Sequence, residues 1–246
     1  MSYSRKEILK ILDDLNDYGK LYDNPIINYA NKTNDTEEYC TEVVAEWLLN
    51  HIDVISDAHI EQITREKSYK TASHTGSQTT ANSNREEEML AKNLFVQYMN
   101  CPDKIIGKMI DYQTPLKNKQ TDKAGKIDII SFNEKTNMLF LLELKRKRSG
   151  ETLLRCILEI ITYYFTIDIN KLCKDFCDAS QNIENPVVVC APIVIENSAQ
   201  YQEYQDTKDG KRPKMKELID VLKTKIELRF FTVEVSTTYS VSEFTL

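Results

Sequence analysis

Between residues 127 and 195, short apolar runs frame one long apolar run, and that order leaves few folds open. Residues 127–132 and 138–145 read as strands, and the polar stretch 133–137 reads as the turn joining them in a hairpin. Residues 151–167 are apolar around most of a helical surface, and 186–195, rich in Val and Ile, is expected as a buried strand. A helix over 85–99, with Leu90, Leu94 and Tyr98 on one face and Asn84 available as its cap, precedes a first strand over 104–112. The order helix, three strands, helix, strand predicts an α/β fold with a mixed sheet and helices on both faces.

The rest of the chain reads differently. Ser4 with Glu7 forms a capping box ahead of Ile8, Leu9, Ile11, Leu12 and Leu15, so a first helix of about four turns is expected. Thr36 and two glutamates are expected to open a second helix, reaching to His51, and a shorter one is expected over 58–64. Residues 1–66 are thus expected as an N-terminal helical region. Residues 67–84, rich in Ser, Thr and Asn, are expected as a flexible polar linker in which His74 is a polar loop residue. Residues 85–246 form the second unit, with a core over 85–195 and a C-terminal α/β extension over 196–246. That extension is read as a helix near 214–225 and a strand near 228–235, and 172–185 as a connector.

With 41% hydrophobic and 28% charged residues the chain can fill a core and cover a surface. No apolar run approaches the roughly eighteen residues that span a bilayer, and no apolar leader stands at the start. No membrane partner and a cytoplasmic location are expected. The six cysteines read as reduced packing residues. Cys173 and Cys177 share a helical spacing, but three unclustered histidines make packing a better reading than zinc.

The chemistry concentrates at Leu142-Glu143-Leu144-Lys145. Strand alternation sends Glu143 and Lys145 to one face and the leucines to the other. If 133–137 is the turn, the hairpin folds Asp128 back toward Glu143 and Lys145. Two such carboxylates repel unless a divalent cation with a preference for oxygen joins them, and Mg²⁺ suits few carboxylates plus water and phosphate oxygens. Lys145 would hold or help deprotonate the attacking water.

Asp128, then Glu143-Leu144-Lys145 fifteen residues later, set in this element order, resembles the PD-(D/E)XK nuclease superfamily, the restriction-endonuclease-like fold. The resemblance covers residues 85–195 and implies a metal-dependent nuclease acting on DNA, with Asp128 and Glu143 binding Mg²⁺ (Mn²⁺ able to substitute) and Lys145 activating the nucleophile. It also implies a glutamate on the first core helix near the metal. Of Glu86, Glu87 and Glu88, Glu87 shares the inward face of Leu90 and Leu94, although Asn84 and Glu87 equally form a capping box. Members often carry a polar residue on the next helix. Here the polar stripe is Glu151, Arg155, Glu159 and Thr162, so Glu159 or Arg155 is expected behind the metal ligands, the same spacing also fitting a surface ion-pair ladder. Pro102-Asp103 echoes the family name but precedes the first strand and is set aside.

The expected substrate is DNA, gripped by Lys126, Arg146, Lys147 and Arg148, in restriction, defence, mobile-element processing or repair, with a homodimer plausible for double-strand cutting. The other readings are a catalytically silent nucleic-acid-binding or assembly module, or a nuclease acting on RNA or single strands. A net charge of −6 argues against nucleic acid at first sight. Residues 117–148, however, hold nine Lys and Arg against four Asp and Glu, so the expected active face is basic.

Overall fold

The structure is a computed structural model that describes residues 2–71, 74, 86–118, 125–178 and 182–246. The expected hairpin is present as β2 (Lys126–Asn133) and β3 (Met138–Lys145), closed by a turn in which Asn137 takes φ 52° and Asn133 Oδ1 accepts the Lys135 N–H at 3.1 Å. β1 (Lys108–Pro115) pairs antiparallel with β2 on its other side. An apolar helix, α4 (Leu153–Thr166), carries the chain over the sheet to β4 (Val187–Ile195), which lies parallel to β3. β5 (Glu227–Leu228) and β6 (Phe231–Val235) add in parallel to β4, and β7 (Tyr239–Glu243) closes the far edge antiparallel to β6. The result is an α/β fold whose mixed seven-stranded sheet, in the order β1-β2-β3-β4-β6-β7 with β5 beside β4, is flanked by helices.

The two sheet faces are covered unequally. α3 (Glu86–Tyr98) lays Ala91, Leu94, Phe95 and Tyr98 against Phe140, Leu142 and Phe231. The opposite face receives α4 (Leu153–Thr166), and α1 (Arg5–Asp13) packs on α2 (Cys40–Asn50) and α2 on α7 (Pro213–Lys223), so Ile8, Val43, Leu154 and Leu218 share one apolar cluster. The helical region 1–66 therefore packs on the same core as the crossover helix. α3 also reaches the sheet edge, where the Gln97 side-chain amide donates to Tyr239 O and accepts from Tyr239 N, taking the place of a neighbouring strand.

Several expected boundaries move, each for a local reason. Ser4 and Glu7 form the expected capping box. The second helix begins at Cys40, not Thr36, because Glu37 takes φ 57° and the Thr36 hydroxyl turns to Glu38. Residues 58–64 form no helix; Ile63 bridges to Ile167 instead, with Ile63 N donating to Thr166 O at 2.7 Å. The first strand starts four residues late because Asp103 Oδ1 accepts from Ile105 N and Ile106 N and folds 103–107 into a turn. Gly107 closes that turn at φ 75°, where a Cβ would meet Phe132 O at 2.2 Å. Asp103 is thus a turn residue, as setting aside Pro102-Asp103 anticipated.

The connector 172–185 contains most of α5 (Ile169–Phe176), capped by Asp168, whose carboxylate accepts Lys171 N. α6 (Ala199–Lys208) and β7 were not foreseen. Most of the expected linker 67–84 lies outside the described residues, but its start is fixed: Tyr69 is fully buried and its N–H donates to Asp175 at 2.8 Å. His74 likewise is held, by Asp111, and stacks on Tyr112. Cys40, Cys156, Cys173 and Cys190 are buried, Cys101 and Cys177 exposed, and all are free thiols. No helix among the described residues is long and apolar enough to cross a membrane.

Candidate active site

Strand register assembles the site. β2 and β3 pair Ile129 with Leu142, so one step further Asp128 stands across from Glu143. On the other side β1 pairs Tyr112 with Ile129 and Thr114 with Ile127, which sets Gln113 across from Asp128. Gln113, Asp128 and Glu143 thus form one row over three strands, and Lys145 follows Glu143 on the same face. All four line an open pocket of about 520 Å³ between α3 and the start of α4.

Asp128, Glu143 and Lys145 are nearly inaccessible, at 8%, 3% and 3% exposure. Burial pushes the Asp128 carboxyl up to about 7, with Lys145 opposing and Glu87 adding to the rise. Burial, and then the Asp128 and Glu159 charges, push Glu143 well above the usual carboxylate range. Lys145 loses hydration by burial, but Glu143 and Glu159 outweigh that loss and raise it, so it stands as an ammonium ion. Its Nζ lies 2.7 Å from Glu143 Oε1, 2.7 Å from Glu151 Oε2 and 3.2 Å from Glu159 Oε2.

The Asp128 oxygens are spoken for separately: Leu144 N donates to Oδ2 at 2.9 Å and Gln113 Nε2 to Oδ1. Glu143 Oε2, by contrast, is buried and meets no hydrogen-bond donor. Among the described residues no three Asp, Glu, His or Cys side chains already converge as a ligand set. The oxygens that would form one are drawn onto Lys145 and backbone N–H groups. The donor set itself, Asp128 and Glu143 with an orphaned carboxylate oxygen, is the chemistry a hard divalent cation takes.

Glu87 is the α3 glutamate turned inward. Its Oε1 accepts Arg146 N at 3.2 Å, and its charge is felt at Asp128, whereas Glu86 pairs outward with the Arg146 guanidinium. The α4 stripe is an ion-pair ladder and also faces the site. Glu159 Oε1 accepts the Tyr163 hydroxyl at 2.8 Å while Oε2 faces Lys145. Arg155 lies 3.2 Å from Glu151, 3.9 Å from Glu159 and 3.2 Å from Asp23, so it braces carboxylates and makes no direct approach to Asp128 or Glu143 among these pairs. No protein-family model, curated protein or solved structure matches the chain.

The expected basic face needs correction. Lys126 and Arg146 line the pocket with Lys145, but Lys147 and Arg148 are exposed residues outside its lining. Among the described residues, those three cations face Glu86, Glu87, Glu88, Asp128, Glu143, Glu151 and Glu159. Five of these acids come from outside the basic segment, three on α3, one just ahead of α4 and one on α4, so a charge balance taken over that segment alone misses them. Gln113 and Tyr163 join the site without a motif that marks them in the sequence. Tyr163 sits one turn beyond Glu159, a detectable spacing; Gln113 reaches Asp128 only through a register shift between Met109 and Asp111.

Proposed function

We propose that the chain is a Mg²⁺-dependent phosphodiesterase that cuts DNA, built on a restriction-endonuclease-like core. The observation that carries this reading is the buried, donorless Glu143 Oε2 beside Asp128 and Lys145 at the floor of an open pocket. The order α3, β1, β2, β3, α4 and β4, with α5 inserted before β4, supports the PD-(D/E)XK reading. Asp128 and Glu143 would hold the cation, with Glu87 at its margin. When bound, Mg²⁺ offsets the excess of carboxylates and polarises water and phosphate.

The protein side chains supply the rest. Lys145, kept protonated by its carboxylate neighbours, orients the attacking water and steadies charge growing on the phosphate. Glu159, fixed by Tyr163, and Glu151 hold the ammonium in place. Lys126 and Arg146, which line the pocket, would meet backbone phosphates, Arg146 on leaving Glu86. Six free thiols accord with a reducing, cytoplasmic setting.

A second reading, a catalytically silent nucleic-acid-binding or assembly module, draws support from the engagement of Lys145 by three carboxylates. Plasmid, linear and single-stranded DNA and RNA, each with Mg²⁺, Mn²⁺ or EDTA, separate the two. Metal-dependent cleavage lost in Glu143→Gln and Lys145→Ala is the expected result. No cleavage of any substrate under any metal condition leaves the silent module. Preference for RNA or single strands replaces duplex DNA as the substrate.

A further inference from the structure

We infer that Gln113 is a positioning residue for Asp128: a left-handed backbone inside β1 aims its side-chain amide at the carboxylate and sets the oxygen geometry offered to a divalent cation. The inference rests on the metal-dependent reading above.

Gln113 takes φ 49° within an eight-residue strand, a conformation that glycine adopts freely and a side chain does not. The register shows what brings Gln113 opposite Asp128, a bulge earlier in the strand than the left-handed residue itself. The first pairs of β1 with β2 are Lys108–Phe132 and Met109–Ser131; continued unchanged, they set Tyr112 across from Asp128. The bulge between Met109 and Asp111 advances the strand by one residue, so Gln113 takes that place. Its Nε2 then donates to Asp128 Oδ1 while Leu144 N donates to Oδ2. Each oxygen is pinned by one donor, and each keeps a lone pair for another partner. The strained residue thus lies at the wall of the pocket, in contact with the proposed ligand, where stored strain has a use.

The test separates backbone from side chain in the full-length protein. Gln113→Gly accepts the left-handed backbone and removes the amide; Gln113→Asn tolerates that backbone but is a methylene too short to reach. Mn²⁺ binding is followed by the electron paramagnetic resonance signal of the free ion, without nucleic acid. Both variants are expected to weaken Mn²⁺ binding by roughly 10- to 100-fold, as loss of a ligand's supporting hydrogen bond does. In cleavage assays both should need more metal for half-maximal rate and regain the wild-type rate when it saturates.

Wild-type Mn²⁺ affinity in either folded variant overturns the inference and leaves the metal site standing. Failure of the wild-type protein to bind Mn²⁺, or undiminished binding by Asp128→Asn, overturns the metal site and the inference with it.

Discussion

The Tyr163 hydroxyl donates to Glu159 Oε1 at 2.8 Å, one helical turn apart on α4, and thereby fixes the carboxylate whose other oxygen faces Lys145. A buried hydrogen bond to a charged group contributes about 1.5–3 kcal/mol, and its loss leaves Glu159 Oε1 without that donor. Tyr163→Phe should therefore cost about that much stability in a urea titration. It should also slow cleavage about tenfold, with substrate KM little changed.

Gly125 bears on the same hydroxyl. A Cβ there would lie 2.0 Å from the Tyr163 hydroxyl oxygen and 2.5 Å from its ring carbon Cζ. Gly125→Ala must displace Tyr163 and should slow cleavage at least as much as Tyr163→Phe. Wild-type rates in Gly125→Ala would remove Tyr163 from the support of the site.

Lys145 is the shared cation of three carboxylates, two of them largely buried. Removing one member of a buried ionic cluster costs about 3–5 kcal/mol because the remaining charges lose their partner. Lys145→Met should lose cleavage and about that much stability at neutral pH. Stability should recover on acidification, as the Glu143 carboxyl, already pushed up by burial, takes up its proton; a melting temperature equally low at pH 5 counts against this account.

Glu203, which does not line the pocket but accepts the first N–H of α4, supplies a second pH dependence. It is 5% exposed; burial, opposed by the Arg212 charge and by the N–H of Leu153, raises its carboxyl to about 7 from an ordinary 4.5. The folded state therefore holds a proton that the unfolded chain has released, so stability falls as pH rises from about 4.5 to about 7. The loss from this group is about 3 kcal/mol. Glu203→Gln should flatten that decline in chemical denaturation carried out across the interval.

Legibility in the sequence followed the physics of each element. β3 reads at its true bounds because alternation places Leu142 and Leu144 against α3 and leaves Glu143 and Lys145 on the pocket face. Asp128 follows from the hairpin turn, and Glu87 from its spacing to Leu90 and Leu94. α6 escaped notice because its buried residues include Gln200, Glu203 and Thr207, a polar set that makes no apolar period. The Ile105-Ile106 pair imitates a strand, and only the Asp103 turn reveals otherwise. Gln113 and the acidity of the pocket were out of reach for a different reason. The first depends on a one-residue bulge, the second on glutamates that flank the basic segment on both sides and are brought back over it by the fold.

The Gln97 side chain, clasping Tyr239 N and O, has a consequence for assembly. A sheet edge left open invites a neighbouring molecule to add its own strand, and here the first residue of the edge strand is already occupied from within. Two copies of this protein that meet must do so without joining their sheets at Tyr239. Freeing Gln97 for such a junction would also loosen the helix whose opposite end carries Glu87.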